Sequence, residues 1–312
     1  MTTSYETKEW YEEPIEHIPS ERTNKWYAIA EWYGEPFIRM SPERRQTMAN
    51  IALGKGSPPP ICPFQAGNPQ CKKKGGVCSI QTYRKPPTQN SDRLGLRVDP
   101  PVITCPRRFD QDSLIPKWLA QVVGFNEDEF FLAREVPFMH SPETGRSAGR
   151  IDLVLADDKN DQMRWFGLEI QAVYFSGKGM GVEFERLAQD TGRRPPVPVN
   201  NRRPDWRSSS AKRLMPQLQV KAPTLRRWGT KLAVAVDMPF FEAIGGPSHK
   251  PSRDLDEGDI IWLIPEISDD YQLEAAHWEV LSLEESSKKL LAAQTVKRKD
   301  FEATLQSKLQ PI

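Results

Sequence analysis

With 312 residues, 38% of them hydrophobic and 27% charged, the chain is long enough to bury one large core or two modest ones, and its 28 prolines point to a loop-rich globular protein. No apolar run approaches the length needed to span a bilayer, which excludes an α-helical membrane class. The net charge of +1 conceals segregation: Arg193 to Lys231 holds eleven Lys and Arg against the single acid Asp205, and Cys71 to Arg108 nine against two acids, while Asp254 to Glu285 holds eleven acids and no Lys or Arg. Two basic islands in an acidic chain suit a partner whose negative charge is local and dense.

The N-terminal stretch MTTSYETKEWYEEP is acidic and lacks an apolar signal region, so export is not expected and a cytoplasmic (bacterial) location is. Residues 1–59 form a helical and aromatic region in which Glu-Trp-Tyr-x-Glu-Pro occurs twice, from Glu9 and from Glu31; two short copies do not make a repeat architecture. Ser41, Pro42 and Glu43 supply an N-cap, a first-turn proline and an acid near the positive end of a helix that runs to about Leu53.

Residues 60–110 contain every cysteine: Cys62, Cys71, Cys78 and Cys105. The spacing does not match a short-knuckle zinc finger, but turn-forming glycines and prolines surround it. In a reducing compartment two readings stand, a thiolate site for zinc or iron, or unligated cysteines. Lys72, Lys73 and Lys74 in this loop are expected to touch nucleic acid.

Residues 111–312 carry the remaining regular structure. Apolar residues from Ser113 to Phe131 predict an amphipathic helix, followed by a helical or strand segment bearing Glu135. Gly149–Ala156 and Trp165–Tyr174 alternate as strands, joined by Asp157–Gln162, which is turn chemistry. A hairpin there brings Asp152 onto the same face as Glu169 and Gln171. That cluster reads either as an acidic solvent face or as a magnesium site made of Asp152, Glu169 and the Ile170 carbonyl. The hairpin resembles the active site of PD-(D/E)XK nucleases, with Gln171 where that superfamily has lysine. An amide cannot act as a base, so Gln171 can only orient the attacking water, which the metal has to activate.

Lys178 in the glycine-rich turn after the hairpin lacks the Walker pattern, which excludes a nucleoside triphosphate site on this motif. Val182 to Asp190 reads as helix. The proline-interrupted insertion 192–230 lacks strong periodicity and reads as a docked basic segment contacting DNA through Arg202, Arg203, Arg207, Lys212, Arg213 and Gln217. Buried strands are expected at Lys231–Asp237 and Asp259–Ile264, another at His277–Leu283, and one amphipathic helix from Glu284 to Leu309. The scattered histidines have no ligand spacing.

Taken together, Ala30-Glu-Trp-Tyr-Gly34, the cysteine segment with Cys-Pro-Arg-Arg-Phe at Cys105, Gly149-Arg-Ile-Asp152, Gly167-Leu-Glu-Ile-Gln-Ala-Val-Tyr174, Arg203-Pro-Asp-Trp-Arg-Ser-Ser, Lys212-Arg-Leu-Met-Pro-Gln-Leu and Arg227-Trp-Gly resemble the NotI family of type II restriction endonucleases. The resemblance implies an α/β (α+β) PD-(D/E)XK nuclease core, a mixed central sheet flanked by helices with an embedded four-cysteine metal module. It further implies a magnesium-dependent homodimer that cuts double-stranded DNA at a GC-rich palindrome to leave 5′-phosphate and 3′-hydroxyl ends. On this chain Asp152 and Glu169 then hold magnesium, Glu135 is the upstream acid, and the cysteines hold structural iron. A cognate methyltransferase is expected, though not as a stable partner. The competing expectations are a non-cleaving DNA-binding protein on the same scaffold and a repair or defence nuclease of different specificity.

Overall fold

Apolar alternation in the sequence becomes two principal sheets in the computed structural model, which describes residues 25–84, 92–126, 129–159, 162–177, 179–200, 202–291 and 297–310. Strands β1 (Lys25–Trp32), β2 (Glu35–Pro36), β3 (Val77–Arg84) and β4 (Val102–Ile103) make the smaller sheet, in the order β2-β1-β3-β4. Helix α1 (Pro42–Ala52) follows β2, and its Ser41 cap accepts a hydrogen bond from the Arg44 backbone N–H at 3.2 Å, as the sequence predicts. The first Glu-Trp-Tyr copy lies outside the described residues; in the second, Glu31 and Trp32 are buried.

Helix α2 (Leu114–Val122) precedes a long antiparallel meander of β5 (Phe131–His140), β6 (Ser147–Lys159) and β7 (Gln162–Ile170). The α2 helix is shorter than its apolar pattern predicts because Gly124 turns the chain with φ 72°. A two-stranded ribbon of β8 (Tyr174–Phe175) and β9 (Pro204–Asp205) comes next, with α3 (Gly181–Ala188) between its strands. Helix α4 (Trp206–Ser209) then passes through a π turn (Ser210–Leu214) into α5 (Met215–Arg227). Strand β10 (Leu232–Ala235), helix α6 (Met238–Ala243), strands β11 (Ile260–Ile267) and β12 (Leu273–Leu281), and helices α7 (Leu283–Leu291) and α8 (Arg298–Lys308) complete the chain.

The larger sheet has six strands in the order β12-β11-β10-β7-β6-β5. It is mixed: β10 runs parallel to both β7 and β11, while the other pairings are antiparallel. Central strand β10 is buried on both faces, which explains its continuous apolar run. Leu232 and Val234 face a core shared with Leu218 and Leu225 of α5, Phe240 and Phe241 of α6, and Trp32 of the smaller sheet. Ala233 and Ala235 face the opposite core, where Ile115, Trp118 and Leu119 of α2 pack. No helix of the described residues is long and apolar enough to cross a membrane.

Two sequence expectations change. The basic insertion is largely helical between Trp206 and Arg227, with Pro216 placed just after the π turn at the start of α5. Pro223 is carried inside the helix, which is held down by buried Leu214, Leu218 and Leu225. The expected C-terminal helix is two helices, and the stretch between them lies outside the described residues.

The sheets are joined through Arg108, whose side chain is fully buried. Its Nε donates to both carboxylate oxygens of Glu31 at 2.9 and 3.0 Å, Nη1 donates to Gln111 Oε1 at 2.5 Å, and Nη2 donates to the Tyr271 carbonyl at 2.7 Å. Ser79 Oγ donates to Glu31 Oε2 at 2.6 Å, tying β3 into the same network. Removing one member leaves a buried charge without its partner, so Glu31→Ala is expected to lower stability by about 3 kcal/mol in urea unfolding.

Candidate active site

The β6–β7 hairpin pairs Leu153 with Leu168, which sets Asp152 and Glu169 side by side at the end of the ladder. Each carboxylate caps the other strand's backbone. Asp152 Oδ2 accepts from the Ile170 N–H at 2.9 Å, and Glu169 Oε1 accepts from the Asp152 N–H at 3.4 Å. Among the described residues no protein donor is bonded to Asp152 Oδ1 or Glu169 Oε2, so one oxygen of each acid remains for a cation.

Glu169 is buried and Asp152 half-buried. Burial first, and the neighbouring Asp152 charge second, push the Glu169 carboxyl up to about 7, against the pull of Lys221. Burial likewise raises Asp152, opposed by the Ile170 N–H and the Lys221 charge. A carboxylate charge that raises its neighbour's affinity for protons also attracts a divalent cation. Among the described residues no group of three or more His, Cys, Asp or Glu is disposed to hold a metal ion, so carbonyl, water or phosphate oxygens would have to complete the coordination of one bound here.

Glu135 lies across from Asp152, between the pairs Arg134–Leu153 and Val136–Ile151, with φ 53°. It is exposed, 3.9 Å from Arg150, and adds a repulsive charge felt by Asp152. Strand β7 ends at Ile170; Gln171 follows it, its backbone N–H bonded to Ala235 and its side-chain amide donating to the Ala172 carbonyl at 2.5 Å.

Sequence reasoning missed Lys221. Buried on α5, its ammonium donates to Glu169 Oε1 at 2.6 Å and to Gln217 Oε1, one helical turn earlier, at 3.2 Å. The signal available in the sequence was the spacing: Leu218, Ala222 and Leu225 set the inward face of α5, and Lys221 falls on it.

Asp152 and Gln171 open into a cleft of about 1380 Å³ whose walls include Lys72, Lys74, Arg134, Lys212, Arg213 and Gln217, while Glu169 is buried behind Asp152. Arg213 lies over the Tyr174 ring at 3.7 Å, which holds the guanidinium in place at the rim. Arg203 and Arg207 are exposed but do not line the cleft. Two predicted contacts point inward. Lys73 hydrogen-bonds the Thr104 carbonyl, and Arg202 is buried against Glu183, with Nη2 donating to the Gly179 carbonyl at 3.0 Å.

The cysteine expectation is corrected as well. All four cysteines are free thiols, and Cys62, Cys78 and Cys105 pack with Phe64 in a small apolar cluster, not as the donor shell of iron or zinc. Burial pushes the Cys78 and Cys71 thiols up. The buried stem of Lys73 brings its charge beside Cys71, Cys78 and Cys105. Close packing is still required here: a Cβ on Gly76, at φ 67°, would stand 2.2 Å from the Tyr33 ring.

Comparison with protein families matches residues 50–279, well over half of the chain, to the model described as restriction endonuclease NotI. Comparison with the curated proteins finds no match.

Two outcomes follow from the site. A folded-state value of about 7 for Glu169, against 4.5 for a free carboxyl, means that the folded protein holds extra protons between those limits, so its stability falls as pH rises through that window. Urea unfolding in EDTA is expected to show this loss, on the order of 2 kcal/mol, and Glu169→Gln to flatten the slope. For the thiols, Cys71 is expected to react first with Ellman's reagent in the native protein, with the buried Cys62, Cys78 and Cys105 reacting only on unfolding.

Proposed function

The chain belongs to the NotI family of restriction endonucleases, site-specific deoxyribonucleases that cleave DNA, and from that premise we propose that Asp152 and Glu169 are its catalytic carboxylates. The observation that carries this reading is the interlocked pair itself: two acids on adjacent strands, each with an oxygen left over, one of which, Asp152, lines a cleft that also carries Lys72, Lys74, Lys212 and Arg213. The fold around it, a mixed six-stranded sheet with helices on both faces, supports a PD-(D/E)XK nuclease core in the Glu-x-Gln variant.

Asp152, Glu169 and the Ile170 carbonyl would hold a magnesium ion, which would supply Lewis-acid stabilisation of the phosphate charge. The protein's own groups do the rest. Asp152 and Glu169 are fixed by strand N–H groups, so no reorganisation is needed as charge develops. Gln171, released from the Ala172 carbonyl, aims its amide at the water that attacks in line. Glu135, across the strand from Asp152, supplies a further carboxylate at the exposed edge. Lys72, Lys74, Lys212 and Arg213 neutralise backbone phosphates, while Gln217 is placed for base edges or bridging waters. The products carry 5′-phosphate and 3′-hydroxyl ends. A palindromic, GC-rich site calls for two copies of the chain related by a two-fold axis, one hairpin to each strand.

Incubation with long genomic DNA and magnesium tests the reading. Discrete fragments are expected; a smear would indicate a general nuclease, and a gel shift without cutting a binding protein. Asp152→Asn and Glu169→Ala should each reduce single-turnover cleavage by about 1000-fold or more while circular dichroism is unchanged, and retained cutting would remove them from the chemistry.

A further inference from the structure

The carboxylate pair is matched by a cation from an unexpected place. The position after Glu169 and Ile170 carries a neutral amide, so it supplies no positive charge to the carboxylates, whereas α5 delivers Lys221 to Glu169 Oε1 at 2.6 Å. Both partners are nearly inaccessible, with side chains 8% and 2% exposed, so this is no solvated surface pair. Gln217 Oε1 accepts a second hydrogen bond from the same ammonium, which fixes its direction from one helical turn away.

We propose that Lys221 is a positioning residue that takes over the charge a lysine at position 171 would carry, and that it couples loading of the divalent cation to arrival of DNA. Resting on the carboxylate reading above, the inference follows from charge and geometry. With Asp152 and Glu169 ionised and Lys221 beside them, the site carries one net negative charge, and a divalent ion would sit close to an ammonium. The phosphate of a bound duplex adds the missing negative charge. By occupying Oε1, Lys221 leaves Oε2 of Glu169 and Oδ1 of Asp152 as the oxygens of the pair without a protein donor among the described residues. Lys221 therefore weakens metal binding in the free protein and improves the geometry once metal and DNA are both present.

Isothermal titration of the DNA-free, full-length protein with Mn2+ tests this without relying on activity. Lys221→Gln is expected to bind Mn2+ about tenfold more tightly or better, since repulsion from a nearby fixed charge is gone. Lys221→Arg, which keeps the charge, is expected to match the wild type and serves where the glutamine variant fails to fold. Single-turnover cleavage by Lys221→Gln at saturating metal should fall at least about tenfold, and adding Gln171→Lys to that variant should recover most of the loss. Unchanged or weaker Mn2+ affinity in Lys221→Gln, a gain in Lys221→Arg, or cleavage equal to the wild type would overturn the proposal. A merely structural lysine would lose metal affinity and activity together. Wild-type protein that cuts no DNA would overturn the carboxylate reading, while the titrations would still decide the role of Lys221.

Discussion

The buried guanidinium of Arg108 is the joint on which the geometry of the molecule turns. It lies over the Phe64 ring at 4.5 Å, grips Glu31 of the smaller sheet, and reaches the Tyr271 carbonyl just before the last strand of the larger one. A charge placed there is tolerable only when every donor is answered, and Glu31, Gln111 and Tyr271 answer them. Hydrophobic contact alone could let one sheet slide on the other; directional bonds to three segments do not. The consequence for function is positional, because the cysteine-bearing loop that carries Lys72 and Lys74 is anchored through the smaller sheet and faces carboxylates anchored in the larger one.

The cleft layers its charge. Asp152 and Glu135 line it together with Lys72, Lys74, Lys212 and Arg213, and behind that lining Lys221 is paired with Glu169. Such layering draws a polyanion in by its backbone and presents a single phosphate to the acidic pair. A molecule with near-zero net charge achieves this by segregation, which spares the rest of its surface from nonspecific attraction.

Much of this was readable beforehand. Period-two alternation around Asp152 and Glu169 located the hairpin and its polar face, although Asp157–Lys159 and Gln162, expected as turn, continue the strands, and the Ser41-Pro42-Glu43 start located α1. Both are local signals, decided by a few neighbouring residues. Lys221 was not readable in the same way, because prolines and a π turn blur the helical period in the insertion, and a basic residue in a basic island looks like one more surface charge. Arg202 and Lys73 illustrate the converse: composition says that a segment is basic, but only packing decides which cations turn inward to carbonyls and carboxylates. The cysteines fail for a third reason. Clustering along the chain brings thiols near one another, yet a ligand shell also requires that they converge on one point, and here they pack with Phe64 instead.

The π turn between α4 and α5 accommodates one more residue than an α-helical turn would over the same rise. Every position downstream inherits the rotation of that extra residue, about 100° around the axis. Leu218 and Leu225 meet the core, and Lys221 meets Glu169, only because of it. Straightening 210–214 into an α-helical path without removing a residue would therefore swing the lysine out of the acidic pair and bring Val220 to its place, whereas deleting one residue together with the bulge would keep the alignment, so the length of this segment and its π geometry are constrained together.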